Sequence, residues 1–221
     1  MNIWFSSDFH LGHKNISGKN ESKWGSGFRD FSSLNEMNET IVKNINKTCK
    51  ENDILYFLGD FTFGGIDNIW NFRKQLNVKT IHFIIGNHDE KIVENKVLPN
   101  CFYKIDNQGN HYLTSDKTDR SVHAKDLFET VQSVLNVSHG KHNFFLSHYS
   151  HRVWEANHHG VIHLYGHSHD SIDKNGEYWG KSMDVGIDAA KRILGEYRPF
   201  SIEEIINIMN KREIKAIDHH K

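Results

Sequence analysis

The sequence of 221 residues is poor in cysteine and proline, with two residues of each. Cys49 and Cys101 form no CxxC pair and lie outside any metal-ligand spacing, so neither a disulfide scaffold nor a thiolate metal site is indicated. We expect two reduced structural thiols in a cytoplasmic protein. Because the only prolines are Pro99 and Pro199, no proline-rich linker divides the chain, and we expect one domain over residues 1–221.

The sequence also lacks an excess of charge of either sign. Lys and Arg number 27 against 28 Asp and Glu, which gives a formal net charge of −1. Proteins that bind duplex DNA through its phosphates usually carry a basic excess, so we do not expect a nucleic-acid partner, although these totals allow a local basic patch. No apolar run approaches the roughly 20 residues of a membrane span, so no membrane partner is expected.

Histidine, by contrast, is abundant, with 17 residues, and it is the commonest metal ligand in proteins. Short apolar, β-branched or aromatic runs predict buried strands, and apolar residues at helical spacing predict helices between them. The clearest strands are predicted at residues 3–6, 54–58, 80–85, 143–146 and 161–165, with weaker ones at 133–137 and 183–187. Helices are predicted at residues 34–45, at 66–76 and after residue 201.

Three polar stretches fall outside these elements. Residues 15–27 and 106–119 predict loops, and the second allows a hairpin or a small insertion near residues 104–130, beside the active site. Residues 218–221 are expected to form a solvated chain end.

Side chains that can hold a metal follow directly after five of the predicted strands. Because the carboxyl ends of strands in an α/β sheet form the edge where ligands bind, we expect these side chains to converge. Carboxylate, imidazole and amide donors without thiolate suit Mn, Fe, Zn or Ni. The seven residues are Asp8, His10, Asp60, Asn87, His148, His167 and His169.

Local spacing adds two further expectations. In Asp8-x-His10 and His167-x-His169, alternate side chains point the same way if the backbone is extended. The glycines before Asp60, Asn87 and His167 are expected to allow sharp turns at the strand ends.

Taken together, these motifs resemble those of the calcineurin-like metallophosphoesterase superfamily. The resemblance extends from Asp8 to His169 and implies an α/β fold, a four-layer α-β-β-α sandwich with two mixed sheets. It implies two divalent metal ions, with Mn expected and Fe, Zn or Ni as alternatives. The motifs that carry it are Asp8-x-His10, Gly59-Asp60, Gly86-Asn87-His88-Asp89, His148 and Gly166-His167-x-His169.

The resemblance also implies how the ligands divide and how the reaction proceeds. Asp60 would bridge the two ions, and hydroxide formed at the paired metals would attack phosphorus in line. His88, which is not a ligand, would give a proton to the leaving oxygen. One ion would be held by Asp8, His10, Asp60 and His169, and the other by Asp60, Asn87, His148 and His167.

The flanking residues differ from those of the Ser/Thr protein phosphatase branch. That branch has a second Asp three residues after the Gly-Asp motif, where this sequence has Phe63. It has Arg and Glu around the Asn-His pair, where this sequence has Ile85 and Asp89. We therefore expect the general phosphoesterase branch, in which the residue that orients His88 is not identified by the motif.

Other polar residues are secondary candidates. His13 and Arg152 are candidates for substrate binding, with a loop histidine and a surface arginine as the alternatives. Asp184 or Asp188 can orient a metal-bound imidazole, although a turn role fits either equally well.

We therefore expect a dinuclear-metal-dependent hydrolase of a small phosphodiester or phosphomonoester, with nucleotides among the candidate substrates. A nuclease acting on DNA or RNA is the alternative, since repair nucleases of the superfamily carry the same motifs. A non-catalytic scaffold is less favoured because His88 and all seven ligands are present. The oligomeric state and the preference between diesters and monoesters are not predicted.

Overall fold

A computed structural model describes residues 1–215 of the chain, so the predicted solvated end at residues 218–221 lies outside the described residues. Strands and helices alternate through the first part of the chain. They are β1 (Ile3–Ser6), α1 (Lys14–Ser17), α2 (Leu34–Thr48), β2 (Ile54–Phe57), α3 (Asp67–Arg73), β3 (Thr80–Ile84) and α4 (Glu90–Val93).

The second part of the chain is richer in strands. Its elements are β4 (Val97–Ile105), β5 (His111–Thr114), β6 (Ser121–His123), β7 (Thr130–Gln132), β8 (Val134–His139), β9 (His142–Ser147), β10 (Ile162–Tyr165), α5 (Ser171–Lys174), β11 (Ser182–Asp184), α6 (Ile187–Leu194), β12 (Phe200–Ser201) and α7 (Ile202–Met209). Two short 3₁₀ helices lie at Ala124–Leu127 and Asn157–His159.

Two mixed sheets and a smaller antiparallel sheet organise these strands. The first is a 5-stranded sheet in the order β12-β1-β2-β3-β7, in which only β12 runs antiparallel to its neighbour. The second is a 4-stranded sheet in the order β11-β10-β9-β8, in which only the β8–β9 pair is antiparallel. The third has 3 strands in the order β5-β4-β6.

Alternation along the strands creates two apolar cores. On β2, Leu55 and Phe57 face the core shared with α2, while Tyr56 faces the core between the two mixed sheets. Met37 and Ile41 of α2 are four residues apart and therefore lie on one helix face, which is fully buried against the first sheet. Hydrophobic burial on both faces of the first sheet thus fixes its position between the helices and the second sheet.

The outer face of the second sheet has a thinner cover. The Tyr165 hydroxyl donates to Asp173 of the single-turn helix α5 at 2.9 Å, and Arg212 reaches the same carboxylate at 2.7 Å. His163 is buried among Trp154 and the loop that precedes β10. The predicted four-layer α-β-β-α sandwich is therefore confirmed, with one short helix and loops as its fourth layer.

The structure corrects two of the predicted elements. The strand expected at residues 183–187 ends at Asp184, and α6 already begins at Ile187. Residues 106–119, where the sequence allows a loop, a hairpin or an insertion, contain β5, which pairs with β4 as a hairpin around a tight turn held by Asp106. The resulting 3-stranded sheet packs against α3. The helix expected at residues 66–76 is shorter, since it ends at Arg73.

Among residues 1–215, no helix combines the length and the apolar character needed to cross a bilayer.

A prediction follows from the aromatic centre of the first core. The Phe57 ring is 1% exposed and lies 4.3 Å from the ring of Phe9 and 5.5 Å from that of Phe83, measured between centroids. Phe57→Ala should lower the free energy of unfolding by about 3–5 kcal/mol because it leaves a cavity. Chemical denaturation measures this loss. Val97→Ala, at a side chain that is 51% exposed, serves as the control and should change stability by less than about 0.5 kcal/mol. Equal effects of the two substitutions would contradict the assigned core.

Candidate metal centre

The seven predicted ligands all follow the carboxyl ends of parallel strands. Asp8 follows β1, Asp60 follows β2, and Asn87 follows β3 in the first sheet; the four histidines lie after β1, β9 and β10. The two sheets meet at this edge, where the backbone N–H of His167 donates to Asp8 Oδ2 at 2.9 Å. The fold therefore brings the predicted residues together, although their roles as ligands remain a prediction.

The backbone at this edge is left-handed, not extended. Positive φ angles occur at Asp8 (57°), His10 (49°), Asp60 (61°), His167 (63°) and His169 (46°). The extended backbone on which the Asp-x-His and His-x-His expectation was conditional is therefore absent, so that expectation does not apply. Non-glycine residues rarely adopt this conformation, and those that do concentrate at functional sites, where surrounding contacts hold the strain.

One group of candidate ligands consists of Asp8, His10 and His169. His10 Nε2 lies 3.6 Å from Asp8 Oδ1, and His169 Nε2 lies 3.8 Å from the same oxygen. These separations exceed hydrogen-bond length but allow three donor atoms to surround one ion. The other oxygen, Asp8 Oδ2, accepts the Ser7 hydroxyl at 2.5 Å, which leaves Oδ1 directed toward the two imidazoles.

A second group consists of Asp60, His148 and His167, with Asn87 between the two imidazoles. Asn87 Oδ1 lies 3.0 Å from His148 Nε2 and 2.9 Å from His167 Nδ1. Asp60 connects the two groups, since its Oδ2 is 3.5 Å from His148 Nε2 and 3.5 Å from His10 Nε2. This is the position expected of a bridging carboxylate.

Unpartnered buried atoms test whether these residues suit a metal. Asp8 Oδ1 and both ring nitrogens of His10 are buried without a hydrogen-bond partner among the described residues. Buried polar atoms are nearly always partnered, so these atoms call for a ligand that is not part of the chain. Burial also lowers the pKa of His10, which favours the neutral imidazole that a cation requires. The donor set therefore fits divalent metal ions.

Hydrogen bonds to the opposite ring nitrogens orient two of the imidazoles. His148 Nδ1 lies 2.7 Å from the carbonyl oxygen of Leu58, which must accept its proton and so leaves Nε2 as the free donor atom. His169 Nδ1 lies 2.8 Å from Asp188 Oδ2. Such partners fix the tautomer and the ring direction of metal-binding histidines.

Asp188 is in turn held by Arg29, a residue that no sequence motif singled out. The guanidinium contacts both oxygens of Asp188, at 2.7 Å and 2.8 Å, and also donates to the carbonyl oxygens of Asp8 and Phe9. Burial opposes ionisation of Asp188, but Arg29 and His169 outweigh it and hold its pKa well below the usual range. Arg29 thus fastens the left-handed Asp8 turn to the carboxylate that orients His169.

The two secondary aspartates therefore differ in role. Asp188 orients an imidazole, whereas Asp184 organises a turn by accepting the backbone N–H groups of Gly186 at 2.7 Å and Asp170 at 2.9 Å.

Asp89 has a structural role that the sequence did not indicate. Its carboxylate accepts the backbone N–H groups of Asp60 and Gly86 at 2.8 Å and that of Phe61 at 3.2 Å. Burial raises the pKa of Asp89 to about 6. The side chain joins the turns that carry Asp60 and Asn87, and a carboxylate is well suited because all three partners are donors.

The glycines before the ligands act in two different ways. Gly59 has a φ of 94° and thus allows the sharp turn that we expected. Gly86 and Gly166 have no positive φ, so that explanation is wrong for them. They are needed because a Cβ at Gly86 would overlap the Asp60 carboxylate, and one at Gly166 would overlap the Ser7 hydroxyl.

The remaining predicted site residues lie at different distances from this centre. His88 is exposed beside it, with its ring 5.5 Å from that of His10 and its backbone N–H donating to Asp60 Oδ1 at 2.9 Å. The His13 ring is 5.7 Å from that of His10, and its Nδ1 accepts the backbone N–H of Ile16 at the start of α1. Arg152 instead lies over the ring of Trp179. Substrate binding by His13 and Arg152 remains a prediction.

Comparison with known proteins identifies the family. The family model for calcineurin-like phosphoesterases matches residues 1–194. The chain belongs to the calcineurin-like phosphoesterase family. Membership indicates metal-dependent hydrolysis of phosphoester bonds, and the resemblance drawn from the motifs is thereby confirmed, whereas the branch remains a prediction.

Similar proteins carry little functional description. The uncharacterized protein MJ1445 of Methanocaldococcus jannaschii is 38% identical over 90 residues, covering 40% of this chain and 47% of that protein, so the match spans about half of its length. The gene 66 protein of Mycobacterium phage D29 is 23% identical over 205 residues, covering 85% of this chain and 88% of that protein. The crystal structure of AQ665, a protein of unknown function from Aquifex aeolicus, has a TM-score of 0.58 at 19% identity, covering 94% of this chain and 98% of that one. This last likeness shows the fold alone.

The first prediction about the metal centre of this calcineurin-like phosphoesterase concerns metal stoichiometry. Metal-free protein titrated with Mn²⁺ should bind two ions, and Asp60→Ala should bind fewer because the shared carboxylate is lost. Excess Mn²⁺ should also stabilise the wild type, by about 2.7 kcal/mol at 100 times the dissociation constant, since the ion binds the folded state. Calorimetric titration and thermal unfolding measure both effects. Asp116→Ala, at an exposed carboxylate, should keep two ions. A wild-type stoichiometry of one would contradict the paired site.

The second prediction concerns the carboxylate behind His169. Asp188→Asn should weaken Mn²⁺ affinity about 10- to 100-fold, since loss of a partner that orients a metal-binding imidazole typically has this effect. Titration calorimetry compares it with Asp67→Asn, an isosteric change at an exposed position of α3, which should leave affinity unchanged. If both variants bind Mn²⁺ as tightly as the wild type, Asp188 does not position the site.

Proposed function

We propose that this calcineurin-like phosphoesterase uses two divalent metal ions to hydrolyse a small phosphodiester or phosphomonoester. The observation that carries the proposal is the position of Asp60 Oδ2, which is 3.5 Å from the Nε2 atoms of both His10 and His148. A carboxylate oxygen placed between two sets of nitrogen and oxygen donors suits a paired metal site, with Mn²⁺ as the preferred ion.

Two such ions would supply a water of lowered pKa and positive charge to balance the phosphoryl oxygens. The residues of the chain set the geometry for this chemistry. Asp8 and His10 are buried, and Asp8 is held by Ser7 and Arg29, so little rearrangement is required on loading. His167 and Asn87 are exposed, which leaves the second group open to solvent and substrate.

His88 is placed to give a proton to the leaving oxygen. Its backbone is anchored to the Asp60 carboxylate, yet its imidazole is exposed and belongs to neither group of candidate ligands. The ring packs edge-on against Phe63, with 5.5 Å between centroids. Packing against this aromatic ring supports the imidazole on one side, while the side chain as a whole stays exposed.

Small substrates are favoured by the space beside His88. A cleft of about 220 Å³ opens there, with room for a small organic group but not for an extended polymer. The net charge of −1 gives no general attraction to nucleic acid. Action in the cytoplasm is part of the proposal and follows from the two unpaired, buried cysteines.

The proposal is tested by turnover. Protein loaded in turn with Mn²⁺, Ni²⁺ and Zn²⁺ should hydrolyse bis-p-nitrophenyl phosphate or p-nitrophenyl phosphate, and EDTA should abolish the activity. Release of p-nitrophenol is followed spectroscopically, and single-stranded and duplex DNA and RNA are assayed in parallel. No hydrolysis of either ester by fully loaded wild type would refute the proposal, whereas cleavage of the polymers alone would favour a nuclease.

The third prediction separates the proton donor from the ligands. His88→Ala should lower kcat about 10²- to 10⁴-fold, the range for loss of a general acid, while two Mn²⁺ ions still bind. The decrease in kcat should be smaller for substrates with a p-nitrophenyl leaving group than for those with an alkyl leaving group, because p-nitrophenolate leaves without being protonated. His111→Ala, at an exposed histidine on β5, is the matched control and should retain wild-type kcat. Unchanged turnover in His88→Ala would show that another group donates the proton.

A further inference from the structure

The cleft beside His88 is continuous with the metal centre. One wall is formed by residues 62–65, directly after the Asp60 turn, and the opposite wall by residues 87–92. Asn87 and His88 therefore belong both to the metal centre and to the cleft wall. Since His88 is the proposed donor to the leaving oxygen, a group that fills this cleft is the leaving group of the substrate.

Phe63 presents an aromatic ring at this cleft. Its side chain is 39% exposed, although Phe61, two residues earlier, is 1% exposed. The Phe63 ring packs on His13 with 4.0 Å between centroids and meets His88 at 5.5 Å. Trp24, 47% exposed, adds a second ring, with 5.3 Å between its centroid and that of His13. Exposed aromatic side chains therefore lie next to the candidate metal centre, where they can contact a substrate.

Hydrogen bonds hold this wall in place before any ligand arrives. The backbone N–H of Phe63 donates to the Leu11 carbonyl at 2.8 Å, and the Phe63 carbonyl accepts from the Asn68 side chain at 2.6 Å. Across the cleft, Lys91 Nζ donates to the Gly64 carbonyl at 2.6 Å. A preformed wall loses little conformational freedom on binding, so contact with Phe63 can contribute fully to affinity.

We propose that this cleft is the leaving-group subsite and that Phe63 stacks on the nucleobase of a nucleoside phosphoester. The inference rests on the proposed function, because it assigns the leaving-group side of that reaction. A planar ring suits the aromatic face, and 220 Å³ exceeds the ~150 Å³ of a cavity that takes up benzene. Glu90 and Lys91 in the same wall offer hydrogen-bond partners that a base edge can use and a hydrocarbon ring cannot.

The test compares two ligands that differ only in the base. Titration calorimetry on the Mn²⁺-loaded full chain measures the affinities for phosphonate analogues of adenosine 5′-monophosphate and ribose 5-phosphate, in which a CH₂ group replaces the ester oxygen so that neither compound is hydrolysed. The nucleotide analogue should bind roughly 5- to 150-fold more tightly, the range that one base–aromatic stacking contact provides. Phe63→Leu, which keeps an apolar side chain but removes the ring, should abolish this ratio without weakening binding of the ribose 5-phosphate analogue. Phe63→Tyr should restore it.

Tyr112→Ala is the matched control, because Tyr112 is 42% exposed but lies on β5. It should keep the wild-type ratio. A wild-type ratio near one, a ratio that survives in Phe63→Leu, or no binding of either compound would overturn the subsite. Turnover of bis-p-nitrophenyl phosphate and p-nitrophenyl phosphate is measured on the same preparations. If turnover is present and the ratio is one, only the subsite fails; if wild type shows no turnover, the proposed function fails.

Discussion

The carboxylate of Asp60 is the group on which the rest of the site depends, because its two oxygens contact different parts of the site. Oδ1 accepts the backbone N–H of His88 and so fixes the proposed proton donor, while Oδ2 lies between the two groups of candidate ligands. Asp89 holds the turn from behind, and the absence of a Cβ at Gly86 makes room for it. A small shift of this carboxylate would therefore disturb both metal positions and the donor together.

The close packing of the candidate ligands makes the stability of the fold depend on metal binding. Left-handed backbone at non-glycine residues costs about 1–3 kcal/mol each, and five of the candidate ligands adopt it. Burial raises the pKa of Asp8, but contacts with His10, His169 and His148 outweigh it and lower the pKa to about 2. The Arg29–Asp188 pair compensates on one side by joining two turns that are 159 positions apart in the sequence. Divalent cations bound to these residues would stabilise the folded state further, since they would bind the folded site and not the unfolded chain.

The sequence was sufficient to predict the residues that converge, because apolar strands and the polar side chains after them are local features. It also supported the fold through the family motifs. It could not predict Arg29, whose importance comes from partners distant in the sequence and not from a pattern around it. Alternate spacing was not a valid guide here because it required extended backbone, and spacing alone does not report φ. The sequence allowed a hairpin at residues 106–119 but did not assign the strand β5, because this strand is short and none of its residues is buried.

Phe63 is a position beside the metal centre at which this chain differs from the protein phosphatase branch. In the protein phosphatase branch the corresponding position carries a carboxylate that orients the catalytic histidine, whereas here an aromatic ring meets His88 at 5.5 Å. An uncharged ring can support the imidazole by packing, and it leaves the other part of its surface open to the cleft. In the proposed subsite, one ring would therefore both support the proposed donor and contact the leaving group. The residue that departs from that branch's motif would then contribute to specificity.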